Sequence, residues 1–130
     1  MGAMKELTRA EEEVMQILWK LERAFVKDIV EQFPEPRPAY NTISTIIRIL
    51  EKKGVVSHKA YGNTFEYFPL IARDEYKKKF LKSFVRRYFG GSFPEMVSFF
   101  AGERDLSLEE LEEIQARLRE EIEAQKRGKE

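Results

Sequence analysis

The chain has 130 residues, 42% of them hydrophobic and 35% charged, with 23 basic and 23 acidic side chains and no cysteine. That length suits one compact domain or two small ones, and the charge content favours long solvated helices over a buried sheet. Without cysteine there is no disulfide, thiolate metal site or cysteine nucleophile, and one histidine, His58, cannot build a metal centre or a Ser-His-Asp triad.

No nucleophile, base and oxyanion set can be assembled, so neither an enzyme nor a cofactor, metal or small-molecule substrate is expected. No apolar run approaches ~18 residues, and no signal-peptide pattern opens the chain, so a cytoplasmic location without membrane insertion is expected. Met1–Gly2–Ala3 ahead of Met4 reads as a cloning scar. The zero net charge is a cancellation: residues 1–36 carry −3, residues 37–90 carry +8 and residues 91–130 carry −5. A cationic middle between acidic ends points toward nucleic acid, although Lys77–Lys78–Lys79 and Arg86–Arg87 also fit ordinary solvated helix faces.

Thr8 and Glu11 form a capping box, followed by Ala10, Val14, Ile17, Leu18 and Leu21 at helical spacing, which predicts a helix over about 9–22. Val26, Ile29, Val30 and Phe33 predict a short second helix over 26–33, with Asp28 at the positive end of its dipole. Pro34, Pro36 and Pro38 then make a stiff connector.

The third helix is predicted over about 40–53, stopped by Gly54. Ile43, Ile46, Ile47 and Leu50 form its apolar stripe. Asn41, Thr45, Arg48 and Lys52 share the outward face, flanked by Thr42, and its one acid, Glu51, lies off that face. Amide, hydroxyl and guanidinium groups are the ones that read base edges. Thr42, Thr45 and Arg48 are therefore expected to read bases, and Asn41 and Lys52 to hold phosphates. Tyr40 can reach a phosphate with its hydroxyl or pack in the core.

The period then changes to two. Val56, His58 and Ala60 alternate with Ser57 and Lys59, Tyr61–Gly62–Asn63–Thr64 supplies a turn, and Phe65, Tyr67 and Pro69 continue the alternation. Lys59, Tyr61 and Asn63 at this hairpin tip are expected to touch the phosphate backbone. His58 is read as a strand residue without a special task, and Trp19, Phe65 and Tyr67 as packing.

Three short helices and a hairpin follow the winged helix-turn-helix order. The expected fold class is mostly α with a small β-hairpin wing: a winged-helix DNA-binding domain over 5–73 and a helical dimerisation domain over 74–126, with a frayed tail over 127–130. In the second part a helix is predicted over 74–89, a break at Gly90–Gly91, a short apolar helix over 94–101 and a last helix opened by the Ser107–Glu110 capping box. This part carries Phe80, Phe84, Tyr88, Phe89, Phe93, Phe99 and Phe100, more rings than so small a segment can cover, which predicts a shared core with a second copy. Phe80, Phe84, Tyr88, Phe93, Phe99, Phe100, Leu111, Ile114 and Leu118 are the expected dimer residues. Docking of the segment on the first domain is the competing arrangement.

The chain resembles the penicillinase repressor family, which includes the repressors of methicillin-resistance and β-lactamase genes and a copper-transport branch. The resemblance is carried by Leu7–Thr8-x-Ala10–Glu11-x-Glu13–Val14–Met15-x-x-Leu18–Trp19, Val26-x-Asp28–Ile29, Ala39–Tyr40–Asn41–Thr42–Ile43-x-Thr45-x-x-Arg48-x-Leu50-x-x-Lys53–Gly54, Phe65-x-Tyr67-x-Pro69–Leu70 and Arg73–Asp74–Glu75–Tyr76. Asp105–Leu106–Ser107 and Glu109–Glu110–Leu111 look like the lead into the family's last dimerisation helix.

The resemblance implies a cytoplasmic bacterial repressor that binds a palindromic operator in double-stranded DNA as a homodimer. It also implies control of β-lactam resistance genes, and release when a sensor-protease acts on the dimerisation domain. The resistance repressors are cut at an Asn-Phe bond, whereas the matching pair here is Phe99–Phe100, a departure from the family pattern. The copper branch senses metal with C-terminal cysteines, which this chain lacks. The alternative reading is a winged helix used for protein contact without DNA reading.

Overall fold

The computed structural model describes residues 6–129, so the scar at 1–4 and the last residue of the tail lie outside the described residues. The elements in order are α1 (Arg9–Leu21), α2 (Val26–Glu31), α3 (Tyr40–Lys52), β1 (Val56–Tyr61), β2 (Thr64–Pro69), α4 (Arg73–Phe89), α5 (Phe93–Gly102) and α6 (Leu108–Gly128). The chain divides into two compact units after Leu81, inside α4.

The first unit is a winged helix. Thr8 opens α1 as the capping box requires: the Thr8 N–H donates to Glu11 Oε1 at 3.0 Å, and the Glu11 N–H donates to Thr8 Oγ1 at 3.2 Å. α2 ends at Glu31 rather than Phe33, because the Gln32 and Phe33 amides bond back only three residues, to Ile29 and Val30, just before Pro34. α3 ends in a Schellman motif, with the Val55 amide on the Leu50 carbonyl, the Gly54 amide on the Glu51 carbonyl, and Gly54 at φ +82°.

The core joins all the elements of this unit. Val14, Met15 and Leu18 of α1, Ile29 of α2, Ile43, Ile47 and Leu50 of α3, and Val56 of β1 are sealed from water. Each such aliphatic side chain contributes roughly 1.5–3 kcal/mol by leaving water. β1 and β2 pair antiparallel with His58 opposite Tyr67 and Ala60 opposite Phe65, so Val56, His58, Phe65 and Tyr67 share the inner face. Gly62, at φ +61°, takes the first turn position that favours glycine. Alternation in the hairpin left one feature undetected. Ala24, between α1 and α2, pairs with Tyr67 through two backbone hydrogen bonds of 2.9 and 2.8 Å, an isolated bridge on the free edge of β2.

The first turns of α4 belong to this unit. Tyr76 is buried, its ring 5.6 Å from that of Trp19, and its hydroxyl donates to Glu12 Oε2 at 3.1 Å. Burial and the Glu12 carboxylate push the Tyr76 phenol pKa up. The Trp19 indole N–H donates to the Ile71 carbonyl at 2.8 Å, which fixes the exit from the wing.

In the second unit, the remainder of α4 is followed by α5 and α6. Phe84, Tyr88, Phe89, Phe99 and Phe100 form a chain of ring contacts between 4.9 and 6.1 Å. Val85 is buried, whereas no described side chain of α5 or α6 is. α6 runs through Gly128, two residues beyond Lys126 where fraying was expected, with Lys126 and Arg127 in the last turn complementing the helix dipole.

The buried polar group of the first unit is Glu11, 5% exposed. Lys53, at the C-cap of α3, donates to its Oε1 at 2.6 Å and to the Glu6 carbonyl at 3.2 Å. Burial alone would raise the Glu11 pKa, but the bonds from Lys53 and Thr8 outweigh it and hold the carboxyl below its ordinary range. Lys53→Met strands that carboxylate and should cost about 2–4 kcal/mol in urea unfolding, since part of Lys53 still meets water. Because the folded pKa of Glu11 is depressed, the pair's contribution is complete above the unfolded value and is lost as pH falls through the folded one. The stability gap between the natural chain and Glu11→Gln should therefore narrow below about pH 4.

Candidate nucleic-acid interface

α3 places its side chains by helical period. The buried stripe fixes one side against α1, α2 and the hairpin, which turns Asn41, Thr42, Thr45, Arg48 and Lys52 outward, all exposed. Thr45 is more constrained than its spacing implied, because its hydroxyl donates to the Asn41 carbonyl at 2.9 Å. Tyr40 is exposed at the start of α3, outside the core.

A cleft of about 480 Å³ separates the start of α2, the N-terminal half of α3 and the wing. Tyr40, Ser44 and Arg48 line it from α3, Asn63, Phe65 and Tyr67 from the wing, and Lys27 from α2. Arg48 stands beside Tyr67. Burial and the Glu51 charge raise the Tyr67 pKa, and the Arg48 guanidinium opposes them.

At the wing tip, Lys59 lies 5.3 Å from the Tyr61 ring centre, a cation–π contact, and the Tyr61 ring meets Phe25 edge-on at 6.0 Å. Asn63 occupies the exposed turn beside Gly62. Phe65, assigned to packing, stacks on His58 at 4.3 Å yet remains partly exposed at the cleft mouth.

His58 has a task that its sequence context did not reveal. Its Nδ1 lies 2.7 Å from Glu51 Oε2, tying β1 to the last turn of α3. The single carboxylate of α3 is thus engaged by the wing at the edge of the outward face. Ser44 and Ile49 were also missed. Ser44 sits inside the cleft, and Ile49, which falls off the apolar stripe, is exposed next to Thr45.

The expected dimer residues are split by the division of the chain. Phe80 stacks on Tyr76 at 6.1 Å in the first unit. In the second, Leu111 and Ile114 are half-buried, whereas Tyr88, Phe93, Phe99, Phe100 and Leu118 are exposed. Among the described residues, no helix is long and apolar enough to cross a membrane, and no group of three His, Cys, Asp or Glu side chains could hold a metal.

Three helices with a paired hairpin against the third define a winged-helix protein. The penicillinase repressor family model matches residues 7–120, and the chain belongs to that family. It is 34% identical over 110 residues to the methicillin resistance regulatory protein MecI of Mammaliicoccus sciuri, covering 84% of this chain and 89% of that protein. It is 30% identical over 115 residues to the penicillinase repressor of Bacillus licheniformis, covering 88% and 90%. Among solved structures, the DNA-binding domain of the repressor BlaI matches with a TM-score of 0.50 and 28% identity, over 58% of this chain and 94% of that domain.

The Glu51–His58 link should steady the wing. Replacing either partner with Ala should speed amide hydrogen exchange across β1 and β2 by roughly fivefold, the worth of about 1 kcal/mol of hydrogen bonding, and the double variant should add little more.

Proposed function

We propose that this chain is a sequence-specific transcriptional repressor that binds a palindromic operator in double-stranded DNA as a homodimer. Each copy places α3 in the major groove of one half-site. The observation that carries this reading is the composition of the outward face of α3: it holds amide, hydroxyl and cationic groups, while its one carboxylate is tied to His58. Such a face suits a polyanion that presents hydrogen-bonding base edges.

Thr42, Thr45 and Arg48 are assigned to base edges. Asn41 and Lys52 hold phosphates at either end of the helix, with Tyr40, Lys59, Tyr61 and Asn63 along the flanking backbone. The names of the relatives, methicillin resistance regulator and penicillinase repressor, support antibiotic-resistance genes as the target.

Dimerisation is assigned to the second unit, whose exposed Phe93, Phe99, Phe100, Leu118 and Ile122 would leave water against a second copy. Paired half-sites about one duplex turn apart would multiply the specificity of one helix. Release from DNA would come from separating the copies in the cytoplasm. A sensor-protease cut at Phe99–Phe100 would first require α5 to open locally, since both residues lie within that helix.

Titration of the whole chain against duplex DNA at several salt concentrations tests the reading. Affinity should fall with salt at a slope of about −0.9 per phosphate contacted, and flat or absent binding would favour a protein-contact module instead. Arg48→Ala should cost about 1–3 kcal/mol on the preferred sequence and much less on random duplex. Leu118→Glu should shift sedimentation from dimer to monomer and lower operator affinity together.

A further inference from the structure

The outward face of α3 includes a side chain that neither charge nor hydrogen bonding accounts for. Ile49 is 39% exposed, although the apolar stripe of the same helix is sealed at Ile43, Ile47 and Leu50. It lies one turn beyond Thr45, so the two side chains are neighbours on the helix surface. The Thr45 hydroxyl is turned back onto the Asn41 carbonyl at 2.9 Å, one of the rotamers that a helix allows threonine. Its single donor is thereby spent on the backbone, which leaves the methyl group to meet a partner. Thr45, Arg48, Ile49 and Lys52 border one shallow concavity together with Glu51, the acid held by His58. A two-residue apolar strip therefore lies among cations.

We infer that Thr45 and Ile49 form a methyl-reading strip that docks on the C5-methyl groups of thymines, with Ile49 as a specificity-determining residue. This rests on the DNA-binding reading and names what that site prefers. Thymine is the base with an apolar group on its major-groove edge. An aliphatic side chain set against a guanine oxygen or a cytosine amine would instead leave a polar group without a partner. Arg48 and Lys52 beside the strip commit it to an anionic partner rather than to an apolar protein groove.

The test begins with selection of a preferred site from a random-sequence duplex library by the full-length chain. Each thymine of that site is then replaced by deoxyuridine, which removes the methyl and keeps every hydrogen-bonding group. At one or two positions per half-site the natural chain should lose about fourfold in affinity per uracil. Ile49→Ala should lose a similar factor on the thymine duplex and become indifferent to uracil at one of those positions. Thr45→Val, which keeps a methyl and drops the hydroxyl, should stay sensitive to uracil at the other, whereas Thr45→Ser should not. Both residues lie outside the core, so the variants should keep the circular dichroism of the natural chain. A natural chain indifferent to uracil, or variants Ile49→Ala and Thr45→Ser with undiminished sensitivity, would overturn the strip while leaving a DNA-reading α3 in place. A selection that enriches no sequence would overturn the DNA-binding reading, and the strip with it.

Discussion

The ion pair between Glu11 and Lys53 governs how α3 is held. A carboxylate this deeply buried is tolerated only when it is paired, and here the Thr8 amide and the Lys53 ammonium both donate to its Oε1. The same carboxylate closes the capping box of α1, and the same lysine caps α3. One contact therefore joins the start of the first helix to the end of the third. With the sealed stripe Ile43, Ile47 and Leu50 it sets the rotation of α3 about its own axis. That rotation decides which residues face outward, so the composition of the candidate interface follows from contacts elsewhere on the helix.

The wing extends the same logic. Its register is fixed by the hairpin pairing and by the Ala24–Tyr67 bridge. Glu51 and His58 then tie β1 to the end of α3, and this contact also shapes the charge of the site. The hydrogen bond with His58 fixes where the Glu51 carboxylate lies, at the edge of a face that otherwise carries amide, hydroxyl and cationic groups and the exposed Ile49. The zero net charge of the chain coexists with a strongly cationic middle between acidic ends.

The second unit follows a different principle. Its rings touch one another in a chain, yet α5 and α6 seal no side chain within one copy. A small helical unit has too little interior for so much aromatic surface. A second copy is the simplest way to cover it, and it would supply the two-fold symmetry that a palindromic operator requires.

Periodicity, capping boxes and turn residues were enough to give the element order, most boundaries to within a residue or two, and the outward set Asn41, Thr45, Arg48 and Lys52. These features are local: a 3.6-residue stripe or a Gly62 turn depends on neighbours a few positions away. The pairings that hold the site were not legible. Glu11 and Lys53 are 42 residues apart, Trp19 and Ile71 are 52 apart, and Ala24 meets Tyr67 across the whole helix-turn-helix. Glu51 and His58 are only seven apart, but they meet across a change from helix to strand, where no single period applies. Ile49 falls off the apolar stripe of α3, yet an isoleucine among polar neighbours carries no sign of a role until the packing of α1, α2 and the wing shows which arc of α3 is left open. Local spacing determines which residues can share a face. Which of those faces meets water, and which distant charge completes a buried one, is set by how the elements pack, because burial and charge pairing are properties of the assembled unit.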